Sequence, residues 1–137
     1  MTEARRVLVI DDEDSVRAMV EAALSHAGYK VLCAENGTEG LKVLDSQQVD
    51  LVITDILMPE KEGVETIVEI RQKTPDLRII AMSGGGRVHN MEPLKIAGGI
   101  GADVLLPKPF DLAKLLGVVE SVLLDGPNRA APGKTAS

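Results

Sequence analysis

Residues 49–63 read VDLVITDILMPEKEG, and the first seven of them decide the fold. Leu51 to Thr54 is an apolar run of strand length that stops on an acid, Asp55. Hydrophobicity that is near-continuous, rather than alternating, predicts a strand covered on both faces, as in a parallel sheet. Runs of the same kind occur upstream at Val7 to Ile10 and Val31 to Ala34, and downstream at Ile79 to Met82 and Val104 to Leu106. Helix-period segments lie between them. Val16, Met19, Val20, Ala23, Leu24 and Ala27 share one helical face, with Asp14 expected as its cap and Gly28 where it stops. A shorter helix is expected over Thr38 to Asp45, and a third carries Val64, Ile67 and Ile70 up to Thr74-Pro75. Met91 to Ile100 is the weakest helical segment, because it contains Pro93, Gly98 and Gly99 and follows Gly84-Gly85-Gly86. Leu112, Leu115, Leu116, Val119 and Val122 mark the last helix, with Asp111 as its cap.

Strands that alternate strictly with helices imply right-handed crossovers and an open α/β sheet with helices on both faces. In such sheets the working residues gather beyond the carboxyl ends of the strands, at a topological switch point. That rule tests every candidate residue.

Size and composition agree with a single domain. A chain of 137 residues is long enough to bury one core. Residues 1–125 are expected to form it, while 126–137, GPNRAAPGKTAS, has little to bury and reads as a disordered tail or the start of a linker. There is no Trp, one Tyr (Tyr29) and one Phe (Phe110), so the core must be aliphatic. No apolar run approaches a membrane span, and the acids after the first short run argue against a leader peptide. The single Cys33 excludes an internal disulfide and agrees with a reducing cytoplasm. A net charge of -6 argues against a nucleic-acid surface, which needs clustered Lys and Arg. These facts name no function.

Few polar residues pass the strand-end test. Asp11 and Asp12, with Glu13 after them, follow the first strand, and Asp55 ends the third. Ser83 ends the fourth and Lys108 follows the fifth. Any one of them alone is ordinary turn or loop chemistry. Together they bring three carboxylates, a hydroxyl and an ammonium to one edge of the sheet. Such carboxylates repel one another unless a cation joins them, and a hard divalent ion with oxygen ligands, Mg²⁺, resolves the conflict. A cation, a lysine and a hydroxyl around one carboxylate suit the spread negative charge of a phosphoryl group.

The motifs VLVIDDED, VDLVITDILMPEKEG, IIAMSG, GAD and LPKPF resemble the receiver domain of bacterial two-component response regulators, from about Arg6 to Leu124. The resemblance implies a flavodoxin-like fold with a five-stranded parallel sheet in the order 2-1-3-4-5. It implies a signalling switch whose phosphoacceptor is Asp55, charged by a sensor histidine kinase or histidine phosphotransfer protein. Asp12, Asp55 and the main-chain carbonyl of Leu57 are then the Mg²⁺ ligands, with Asp11 acting through water. Lys108 would pair with a phosphoryl oxygen, Ser83 would hydrogen-bond the phosphoryl group, and the Lys108-Pro109 peptide would be cis. A downstream effector is expected but unidentified, and dimerisation through the last helices stays open.

The chain departs from the family pattern in three places. Leu105 stands where an aromatic residue is usual, which puts the output coupling in doubt. The span from Ser83 to Lys108 is a few residues long, and Pro107 ends the fifth strand, which proline tolerates on a sheet edge. Met91, Leu94 and Leu105 read equally as core or as an exposed partner surface. His26 and His89 have no partner at metal-ligand spacing. Two other readings stand. A phosphatase of the haloacid-dehalogenase type would need an acid two residues after the nucleophile, where this chain has Leu57. A phosphate-independent interaction module would not need the Asp12, Asp55, Ser83 and Lys108 set.

Overall fold

The computed structural model describes residues 4–56, 63–83 and 101–125. Each of the five apolar runs is a strand, and the strands alternate with helices as far as the described residues run. The elements are β1 (Arg6–Ile10), α1 (Asp14–His26), β2 (Lys30–Ala34), α2 (Gly37–Ser46) and β3 (Leu51–Asp55). They continue with α3 (Gly63–Lys73), β4 (Arg78–Ser83), β5 (Val104–Pro107) and α4 (Leu112–Asp125). All strand pairs are parallel, and the order is β2-β1-β3-β4-β5. The helix expected at Met91 to Ile100, Leu57, Met91, Leu94, His89, the Gly84-Gly85-Gly86 run and residues 126–137 lie outside the described residues.

The sheet has a helical layer on each face, and the pleat sorts its side chains between them. Leu8, Ile10, Val52, Ala81 and Leu105 face one way and meet Leu41 of α2 and Ile67 and Ile70 of α3. Val7, Val9, Ile53, Ile80 and Met82 face the other way and meet Val20 and Leu24 of α1 and Leu115 and Val119 of α4. Each fully buried aliphatic side chain contributes about 1.5–3 kcal/mol by transfer from water. The core is aliphatic as composition required, and Tyr29 and Phe110 only pack at its margin. Leu105 is fully buried in the core rather than exposed to a partner.

Coverage on both faces holds for β1, β3 and β4 but fails for β2. Lys30 and Cys33 of that edge strand are exposed, and Val31 and Leu32 are only partly covered. β5 is the other edge, and Pro107 sits at its last position, exposed, where no ladder bond is lost. Asp14 does not cap α1. The capping position is Glu13, whose side chain makes no cap; its carboxylate lies 3.5 Å from Lys108 Nζ, and its N–H donates to Asp11 Oδ1 at 2.9 Å. Gly28 leaves α1 with φ +103°, a conformation that favours glycine. Asn36 caps α2 by accepting from the Glu39 N–H, and Asp111 caps α4 by accepting from the Lys114 N–H.

At the amino ends of β4 and β5 a buried clasp fastens α3 to the sheet. Arg71 donates through Nε to the Gly101 carbonyl at 2.8 Å and through Nη2 to Asp103 Oδ2 at 2.9 Å. Its Nη1 reaches the carbonyls of Leu77 and Pro75. Asp103 Oδ2 also accepts from the Ile79 N–H at 2.8 Å. The clasp sits at the opposite end of the sheet from Asp55.

Candidate functional site

The strand order puts β1 and β3 side by side, so the residues ending them converge. Asp55 closes β3 within the ladder, paired with Met82 of β4, and Asp11 follows β1 with its N–H bonded to the Ala34 carbonyl at 3.2 Å. Both acids are buried, and Asp12 is exposed at the rim. One carboxylate oxygen from each of Asp11, Asp12 and Asp55 lies within 4.8 Å of the others. Two unit charges at that range repel by roughly 4 kcal/mol at an effective dielectric of about 20, so the cluster requires compensation.

Lys108 supplies part of it. Just past β5, its ammonium bonds Asp55 Oδ2 at 2.8 Å and Asp11 Oδ2 at 3.2 Å, and lies 3.5 Å from Glu13 Oε1. Its main-chain N–H donates to the Ser83 carbonyl at 2.8 Å, which ties the lysine to the end of β4. The Lys108-Pro109 peptide is cis. Ser83 itself is buried at the end of β4. Asp11, Asp12, Asp55, Ser83 and Lys108 therefore meet at one sheet edge, as the strand-end test required. Leu57 lies outside the described residues.

Burial and neighbouring charges compete to set the direction of the acid–base shifts. Desolvation pushes the Asp11 carboxyl above its ordinary value and the Asp55 charge adds to this, against the Glu13 N–H and Lys108, which pull it down. For Lys108, burial alone would lower the pKa. The hydrogen bonds and charges of Asp55 and Asp11 outweigh burial, and the ammonium is held above the usual lysine value. All three converging acids offer only oxygen, the donor type that hard divalent cations take. The residues fit such an ion.

Two contributing side chains escaped the reading of the sequence. Glu13 follows the acid pair with nothing in the sequence to mark its role, yet its carboxylate lies 3.5 Å from Lys108 Nζ. Arg17 had no signal at all. It lies on α1, and its Nη1 donates to the Asp11 carbonyl at 2.6 Å.

A doubly wound parallel sheet with its acids gathered at the β1/β3 switch point defines the class of domain. The chain belongs to the response regulator receiver domain family, whose pattern matches residues 7–120. It is similar to the response regulator MprA of Mycolicibacterium vanbaalenii, at 36% identity over 119 residues, covering 86% of this chain and 50% of that protein. It is also similar to the DNA-binding transcriptional regulator NtrC of Azospirillum brasilense, at 38% identity over 120 residues, covering 88% of this chain and 24% of the relative. The chain thus spans about half of MprA and a quarter of NtrC. Among solved structures it resembles a CheY-like receiver domain protein from Methanospirillum hungatei, with a TM-score of 0.82 at 25% identity, covering 90% and 96% of the two chains. The chemotaxis response regulator CheY4 of Vibrio cholerae gives 0.78 at 28%, covering 87% and 98%. Family membership makes this a two-component signalling domain rather than a phosphatase for outside substrates, and phosphorylation on aspartate is general to the family. Among the described residues no helix is long and apolar enough to cross a membrane.

Proposed function

We propose that this domain is a phosphorylation switch that takes a phosphoryl group onto Asp55 from a phosphohistidine on a sensor histidine kinase or histidine phosphotransfer protein. The observation that carries the reading is the Lys108 ammonium set between Asp55 and Asp11, beside Asp12. In the transfer, an Asp55 carboxylate oxygen forms a bond to phosphorus as the phosphorus–nitrogen bond to the donor imidazole breaks. The imidazole nitrogen keeps the electron pair. Asp12, Asp55 and the Leu57 carbonyl are proposed to hold Mg²⁺, with Asp11 acting through water. The ion would supply charge neutralisation for the phosphoryl oxygens.

The residues themselves mainly position groups and balance charge. Asp55 changes from a singly charged carboxylate to a doubly charged acyl phosphate. Lys108, tethered to β4 through its backbone, follows the new charge towards a phosphoryl oxygen. Ser83, on the same tether, offers its hydroxyl, so that β4 and β5 register the event together. The partners of this switch are a cognate kinase or phosphotransfer protein that feeds it and an effector that it acts on.

The test is intact-protein mass spectrometry after incubation with acetyl phosphate and Mg²⁺. One added phosphoryl group is expected, absent without Mg²⁺ and absent in Asp55→Asn. Labelling that persists in the Asn variant would sink the assignment.

A further inference from the structure

Every polar atom of Asp11 has a partner within the chain. Its N–H donates to the Ala34 carbonyl, Oδ1 accepts from the Glu13 N–H, and Oδ2 accepts from Lys108. The remaining atom, the main-chain carbonyl, accepts from Arg17 Nη1 at 2.6 Å. The other arm of the guanidinium, Nη2, pairs with the Asp14 carboxylate. The Arg17 side chain is only 19% exposed, so it is held in place rather than extended into solvent. The Asp11 carbonyl belongs to the planar peptide that joins Asp11 to Asp12. Fixing the direction of that carbonyl fixes where the Asp12 backbone departs.

We propose that Arg17 is a positioning residue for the cation-binding end of the site: its hold on the Asp11–Asp12 peptide sets the exposed Asp12 carboxylate beside Asp55. The proposal rests on reading Asp11, Asp12 and Asp55 as a divalent-cation site. Arginine suits the task because its rigid fork serves two acceptors, the Asp11 carbonyl and the Asp14 carboxylate, with two separate nitrogens. A lysine offers one point charge and cannot hold both in that geometry.

A simpler role would be counter-charge. Arg17 shares a cleft with Glu35 and Glu39, and it lies near the acid-rich turn. The two roles predict opposite signs. If Arg17 only supplied charge, its removal would strengthen cation binding, because one repelling positive charge is gone. If it positions Asp12, removal weakens binding although the electrostatics improve.

Calorimetric titration of the full chain with Mg²⁺ alone separates them, using wild type, Arg17→Met and Arg17→Lys. Far-UV circular dichroism checks the fold of each. Arg17→Met is expected to bind Mg²⁺ roughly tenfold more weakly, in the range seen when groups that orient a metal ligand are lost. Arg17→Lys keeps the charge and is expected to weaken binding as well. A second readout needs no cation. The Glu13 amide, bonded to Asp11 Oδ1, should exchange faster with solvent in both variants. Unchanged or tighter Mg²⁺ binding in Arg17→Met would overturn the proposal. Should that variant not fold, wild-type affinity in Arg17→Lys would overturn it equally. Absence of Mg²⁺ binding in the wild type is a different failure, because it removes the cation-site reading itself.

Discussion

Lys108 faces Asp11, Glu13 and Asp55 at once, and two of those acids are almost wholly buried. Lys108→Met leaves both without this ammonium, and the metal-free protein is expected to lose about 3 kcal/mol of stability. The sign of its pH dependence follows from linkage. The folded state binds the Lys108 proton more tightly than the unfolded chain, whose lysine value is near 10.5. The stabilisation is therefore complete below that value and is lost as pH rises through the higher folded-state pKa. The gap between wild type and Lys108→Met should close in strong alkali. Tyr29, whose phenol burial also pushes up, contributes to both chains and cancels from the comparison. Urea unfolding followed by far-UV circular dichroism, with chelator present, measures the gap at each pH. A gap independent of pH would show that the ammonium does not provide the stabilisation. Asp11, Asp12, Asp55, Ser83 and Lys108 were all found from their places at strand ends. Arg17 was not, because a guanidinium bonded to a main-chain carbonyl leaves no trace in periodicity or charge spacing.

At the scale of elements, two glycines in helices have opposite surroundings. Gly40 brings α2 close to β1, and a methyl group there would collide with the Ile10 terminal methyl and lie 3.0 Å from its Cγ1. Ile10 is fully buried, so its end cannot swing aside freely. Gly117 lies in α4 with open space where a Cβ would sit. Alanine gains about 1 kcal/mol over glycine in a helix interior, while overpacking a core costs about 1–3 kcal/mol. Gly117→Ala should therefore stabilise the domain by up to about 1 kcal/mol. Gly40→Ala should destabilise it by about 1 kcal/mol, and trimming the neighbour in Gly40→Ala/Ile10→Val should recover most of the loss. Thermal melts of the variants decide this, and a stabilised Gly40→Ala would mean that α2 shifts without strain. The strands themselves were legible because their interiors are unbroken aliphatic runs. The strands run past the ends of those apolar runs, since Arg6, Lys30, Arg78 and Ser83 are polar residues that backbone pairing brings into the ladder. Asp14 lies one position inside α1 and its carboxylate pairs with Arg17 rather than capping, a difference of one residue that an acid near a helix start does not reveal.

Across the whole molecule, the two ends of the sheet serve different purposes. The carboxyl ends gather like charges, and the amino ends carry the Arg71–Asp103 clasp, whose members stand 32 positions apart. A pair so far apart in sequence leaves no sign in the GAD motif of what Asp103 does. Arg71→Met strands a buried carboxylate and is expected to cost about 3–5 kcal/mol. Acetyl phosphate should nevertheless label the variant as fully as wild type at a temperature where it remains folded. Reduced labelling in a folded variant would show that the two ends are coupled. The aliphatic core has a practical consequence as well. With no Trp in the chain and its single Tyr and Phe at the margin, the domain emits almost nothing when excited at the red edge of protein absorption. An indole placed at Phe110, two residues from Lys108, would be the sole emitter. Its light would report on the switch against a dark background.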